Sequence, residues 1–176
     1  MAATVYLRCI SDNQVTMKLL IAKTKLAPVK SLTIPRLELC AALLVSKLAN
    51  HVIEAISLRS CPLYLWSDST VALAWIQSSP HSWQPFVSHR IAEIQRLNSH
   101  AQWQHIDGKI NLADPATRGI TCDELVILER WWNGPEFLNN NSEPFVNEQQ
   151  SFDSSGNPER RKILHSVHVS VKYKWE

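Results

Sequence analysis

The 176-residue chain is 45% hydrophobic and 19% charged, which suits one folded domain of ordinary size with a tail and excludes a wholly disordered chain. Seven Trp against only four Gly exclude collagen-like and glycine-linker architectures. The net charge of +2 carries no overall electrostatic signature of a nucleic-acid partner.

The charge is unevenly spread. Residues 1–36 hold Arg8, Lys18, Lys23, Lys25, Lys30 and Arg36 against Asp12 alone, a local net of +5. Such a segment suits a phosphate backbone, and equally a solvated hairpin with ordinary lysines. Cys9, Cys40, Cys61 and Cys122 form no CxxC pair, so a zinc ribbon is not expected and the thiols are expected to pack as small hydrophobes. No apolar region follows a basic start, and no apolar stretch approaches a membrane span. The expectation is a reduced, intracellular, cytoplasmic protein without a signal peptide or a membrane partner.

The β-rich run Thr4–Arg8, the turn signal Ser11-Asp12-Asn13 and the run Lys18–Lys25 predict an antiparallel hairpin. Pro35 is tolerated only in a first helical turn, so a helix begins there. Leu37, Cys40, Ala41, Leu44 and Leu48 continue it at helical spacing to about Ile56. Glu38 is its sole acid over four turns, near the end where the helix dipole favours a carboxylate. Leu63–Trp66 reads as a buried strand behind the break at Pro62. Asp68 follows it, just ahead of the helical run Val71–Ile76. That is a place where α/β sheets gather ligands, and also one where Asp68 or Ser69 would simply cap the helix. Phe86–Leu97 predicts a helix, Gln102–Ile106 a strand, Asn111–Gly119 a loop with a short helix, and Asp123–Trp132 a further helix. Residues 139–160 are polar and turn-rich and read as a disordered linker. Ile163–Val171 has strand character without an evident partner, and His165 and His168 have the spacing that opens a zinc module but no Cys follows.

Glu38, Asp68 and Asp114 stand at the ends of three separate elements. Hard divalent cations such as Mg²⁺ prefer carboxylate oxygens, and paired ions can activate a water and steady a leaving oxygen.

Five stretches together resemble one family: Ala22–Pro28, Leu32–Leu39, Leu65–Thr70, Arg90–Ile94 and Trp131–Leu138. Over about residues 2–138 the chain is similar to the ribonuclease H region of BEL/Pao-type retrotransposon Pol polyproteins, which is sometimes labelled a Pao retrotransposon peptidase. The resemblance implies an α/β fold with a mixed sheet flanked by helices, in residues 1–138. Residues 139–176 would be a linker and tail toward a downstream domain. It implies Mg²⁺-dependent or Mn²⁺-dependent hydrolysis of RNA in RNA–DNA hybrids. Glu38, Asp68 and Asp114 match three of the family's four metal-holding catalytic carboxylates. Ser69, Thr70, Lys23, Lys25 and Arg36 are the candidate nucleic-acid contacts. An upstream reverse transcriptase and a downstream integrase in the parent polyprotein are the implied partners. His105 resembles a proton-shuttling histidine of some relatives, but a packed polar residue on a strand is the plainer reading.

Thr4–Arg8 matches the family's second strand. The first, central strand and its Asp would precede Met1, and Asp12 cannot replace it from a hairpin turn. Little or no activity is therefore expected of this chain alone. Asp114-Pro115 also departs from the usual pattern, although Pro115 suits a first helical turn. The alternatives are a non-catalytic nucleic-acid-binding or protein-binding module, a remnant without a role, and, ranked lowest, an aspartic peptidase. Asp68-Ser69-Thr70 lacks the glycine of an aspartic-protease turn.

Overall fold

The computed structural model describes residues 1–58, 60–139, 152 and 157–161. The alternating first 24 residues form the predicted hairpin, with β1 at Ala2–Ser11 and β2 at Gln14–Thr24. β2 starts four residues earlier than its apolar run suggested, and the strands pair from Ala2–Thr24 to Ser11–Gln14. Asp12 and Asn13 adopt φ values of 50° and 63°, the left-handed pair that a two-residue hairpin turn requires and that Asp and Asn tolerate. Val5 pairs with Ile21 but Tyr6 with Leu19, so Leu20 is an inserted residue that bends the hairpin.

Pro35 lies in the first turn of α1, Ile34–Ala55, where its missing N–H costs nothing. Leu39, Ala42, Ser46 and Ala49 recur at helical spacing and are buried. The Ser46 hydroxyl is satisfied by donating to Ala42 O at 2.8 Å. The strand β3, Tyr64–Ser67, is followed by α2, Thr70–Gln77, and α3, Pro85–Leu97. The chain then returns as β4, Gln102–His105, which runs parallel to β3 with Tyr64 opposite Gln102 and Ser67 opposite His105. The core joins Leu39 and Ala42 to Trp75, Ile76, Trp83, Val87, Ile91 and Ile94. Trp75 and Trp83 meet edge to face at 6.0 Å between ring centroids.

The expected mixed α/β architecture is present, with its sheet in two halves. Among the described residues β1 pairs only with β2, and β3 only with β4. Residues Ala2–Arg8 and Leu63–Asp68 both line a cavity of about 460 Å³, together with Ala41, Val45, Ala49 and Val52 of α1. No described strand occupies it. Two small sheets flanked by helices are consistent with the ribonuclease H-like fold that the resemblance implies.

Three expectations need correction. The helix read over Asp123–Trp132 is two short ones, α5 at Cys122–Ile127 and α6 at Glu129–Asn133, which follow α4 at Asp114–Arg118. Leu128 breaks them at φ −80°, ψ 80°. The break accompanies burial of Trp131, whose carbonyl accepts from the Tyr6 hydroxyl at 2.9 Å. Second, Cys9, Cys61 and Cys122 are exposed and Cys40 is half-buried, because their elements turn other residues inward. Third, part of the span read as a linker is attached to the body: Gln84 N donates to Glu159 O and Arg161 N to Ser82 O, each at 2.8 Å. Backbone pairing gives this contact, which side-chain polarity does not reveal. The Ile163–Val171 strand, the His165 and His168 pair and most of residues 139–176 lie outside the described residues. No described helix is long and apolar enough to cross a membrane.

Candidate active site

α1 turns Leu39 into the core and leaves its neighbour Glu38, the fifth residue of the helix, half-buried on the wall of the cavity. Glu38 thus sits just past the first turn. Asp68 follows the carboxyl end of β3 and lines the same cavity while remaining exposed. The loop after β4 runs beside it: a β-carbon placed on Gly108 would lie 3.5 Å from Asp68 Oδ2. His105, directly opposite Ser67 across the parallel pair, is exposed at this end rather than packed.

Asp114, the first residue of α4, lines a neighbouring recess. Its Oδ2 receives Arg118 Nε at 2.8 Å, and its Oδ1 accepts from Thr117 Oγ1 at 3.3 Å. Asn111 lines both spaces and joins them. Its Oδ1 accepts from Ala113 N at 3.0 Å, which fixes the turn into α4. The structure therefore brings Glu38 and Asp68 to one cavity and places Asp114 next door, engaged with a guanidinium. Among the described residues no group of three or more His, Cys, Asp or Glu is arranged to hold a metal ion. The donor set as it stands does not fit a complete divalent-metal centre, which needs several converging oxygens.

The candidate nucleic-acid contacts divide. Ser69 is buried, and its hydroxyl accepts from Ala72 N at 3.1 Å, so Ser69 rather than Asp68 caps α2. Thr70 beside it is exposed. Lys23 and Lys25 are exposed at the end of the hairpin, where Lys25 N donates to Met1 O at 2.8 Å. Arg36 is committed elsewhere. Its Nε and NH2 donate to Glu159 Oε1 and Oε2 at 2.6 and 3.0 Å, and its guanidinium lies 4.7 Å from the Phe86 ring centroid. Arg90 stacks on the same ring at 3.5 Å.

Tyr6 also lines the cavity, and burial pushes its phenol up to about 12 against a smaller opposing effect of a hydrogen bond with Thr4. Sequence reasoning passed over Asn111, Lys109 and Arg130, which surround Asp114. The turn signal Asp107-Gly108-Lys109 after a strand pointed toward the first two, whereas Arg130 lies sixteen positions beyond Asp114 with nothing local to mark it.

Residues 1–69 match the family described as the Pao retrotransposon-like RNaseH-like domain. The matched segment contains the hairpin, α1 with Glu38, and β3 with Asp68. Over this segment the chain is therefore similar to the ribonuclease H-like region of Pao-type retrotransposons. No curated protein and no solved structure matches the chain significantly.

Proposed function

We propose, from the Pao retrotransposon-like RNaseH-like character of residues 1–69, that the chain is a nucleic-acid-binding retroelement domain built for RNA–DNA hybrids and catalytically incomplete by itself. The observation that carries the reading is the shared cavity: Glu38 and Asp68, from different elements, face one space between two half-sheets. In this reading Glu38 and Asp68 are two members of the family's carboxylate set, while Asp114 in the adjoining recess is engaged by Arg118. This chain's own contribution is positioning. α1 presents Glu38, and Asp68 follows the end of β3 beside the Gly108 loop. The exposed Lys23, Lys25 and Thr70 meet the backbone. A strand carrying a fourth acid would fit the cavity, and with the carboxylates present we expect hybrid binding and no turnover. The polyprotein setting supplies reverse transcriptase upstream and integrase downstream as partners.

Incubation of the chain with a labelled RNA–DNA hybrid in Mg²⁺ or Mn²⁺ tests this reading. The expected result is a retarded hybrid of unchanged length. RNA cleavage that disappears in Asp68→Asn would overturn the inactivity. Absence of any hybrid binding at low salt would overturn the assignment. A non-catalytic binding module remains the second reading, favoured by the engagement of Asp114 with Arg118.

A further inference from the structure

Three cationic side chains that are distant in sequence converge around one carboxylate. Lys109 comes from the turn after β4, Arg118 from the end of α4 and Arg130 from α6, and together with Asn111, Asp114 and Pro115 they line a recess of about 330 Å³. All three cations are exposed. Arg118 is paired with Asp114, whereas the side chains of Lys109 and Arg130 have no hydrogen-bond or ion-pair partner among the described residues. Three positive charges against one negative leave the recess cationic, and like charges held together favour an anion between them. The chain as a whole is nearly neutral and residues 37–138 are net acidic, so this concentration is local.

The position of the recess narrows the ligand. Asn111 lines both the recess and the cavity that holds Glu38 and Asp68, and the Gly108 backbone beside Asp68 directly precedes Lys109. A polyanion lying across the carboxylates would need its neighbouring charge neutralised close by. We infer that the Lys109, Arg118 and Arg130 recess binds a backbone phosphate of the nucleic-acid strand that crosses the Glu38 and Asp68 cavity. This rests on the hybrid-binding reading above. Arg118 would stay oriented by Asp114, while Lys109 and Arg130 supply the unpaired charge. The contact is to phosphate and carries no base preference.

The test is hybrid binding in EDTA, followed by fluorescence anisotropy between 50 and 200 mM KCl, with a single-stranded RNA of the same sequence as a second ligand. Lys109→Gln/Arg130→Gln is expected to weaken binding about tenfold at low salt and to reduce the salt slope by roughly one, for the one phosphate that is no longer neutralised. Lys47→Gln, which removes a cation from the far side of α1 and leaves the recess intact, should change neither quantity. Circular dichroism confirms that each variant is folded, and the charge reversal Lys109→Glu should weaken binding further. Unchanged affinity and slope in the double variant would overturn the inference. If the chain binds single-stranded RNA but not the hybrid, the hybrid reading fails while the same slope comparison still judges the recess. If it binds neither, both fail.

Discussion

Arg36 and Glu159 lie 123 positions apart and are joined by two parallel hydrogen bonds, of 2.6 and 3.0 Å. The forked geometry matches guanidinium to carboxylate, and the pair is only partly accessible, with the side chains 31% and 12% exposed. It fastens residues 157–161 to the start of α1, beside the Phe86 ring that Arg36 and Arg90 share. Glu159→Gln is expected to destabilise the fold by about 1 kcal/mol, at the low end for charge-assisted bonds because Arg36 retains solvent contact. Urea unfolding monitored by Trp fluorescence checks it. The same pairing predicts that Arg36→Gln weakens hybrid binding less than Lys23→Gln/Lys25→Gln does.

A second prediction concerns the close approach of the C-terminal segment to the hairpin. Gly134 has φ of 77°, and a β-carbon there would fall 2.6 Å from Met17 Cε. Gly134→Ala therefore meets both backbone strain and a clash, and should cost about 1–3 kcal/mol. Adding Met17→Ala removes the contacts with Cε and Sδ but leaves the strain and the 3.3 Å approach to the Met17 β-carbon. The double variant should thus be less destabilised than the sum of the single changes, a coupling that a double-mutant cycle measures directly.

Alkaline stability should depend on Tyr6. Its phenol stays protonated in the folded state up to about pH 12, whereas an unfolded tyrosine releases its proton near 10. Between these values the folded chain holds more protons than the unfolded one, so stability falls as pH rises from 10 toward 12. Tyr6→Phe should flatten that decline, at the cost of the hydrogen bond to Trp131 O. Unfolding midpoints of both proteins across this pH range decide the matter. An identical slope in the variant would exclude Tyr6 as the cause.

Much of the fold was legible where one residue type has a single mechanical use. Asp12 and Asn13 announced the hairpin turn, Pro35 the start of α1, and the Leu63–Trp66 run with Ser69 the strand and cap that place Asp68. The break at Leu128 was hidden because residues 122–133 keep a helix-compatible composition, and the backbone turns there as Trp131 packs on the hairpin. The docking of residues 157–161 was hidden for a related reason: backbone bonds to Ser82 and Gln84 leave no trace in side-chain polarity. Of the candidate site, Glu38 and Asp68 line one cavity while Asp114 lines the neighbouring recess. The engagement of Asp114 by Arg118, four positions later, is the local ion pair that helix geometry favours, and it was overlooked because the acid was read only as a ligand. Arg36 was read as a phosphate contact because Glu159 lies too far along the chain to be paired with it by inspection.

The proposed function requires that the cavity between the two half-sheets can seat a further strand carrying a fourth carboxylate. The decisive measurement is the melting temperature of the chain after fusion, through a two-residue turn ahead of Ala2, of a seven-residue apolar strand carrying one Asp. Seven residues match the Ala2–Arg8 span that lines the cavity. Pairing against β1 and β3 should raise the melting temperature by several degrees, whether the strand carries Asp or Asn. Only the Asp version should gain Mg²⁺-dependent cleavage of an RNA–DNA hybrid, and Asp68→Asn should abolish that gain. A fused strand that leaves the melting temperature unchanged would contradict the account.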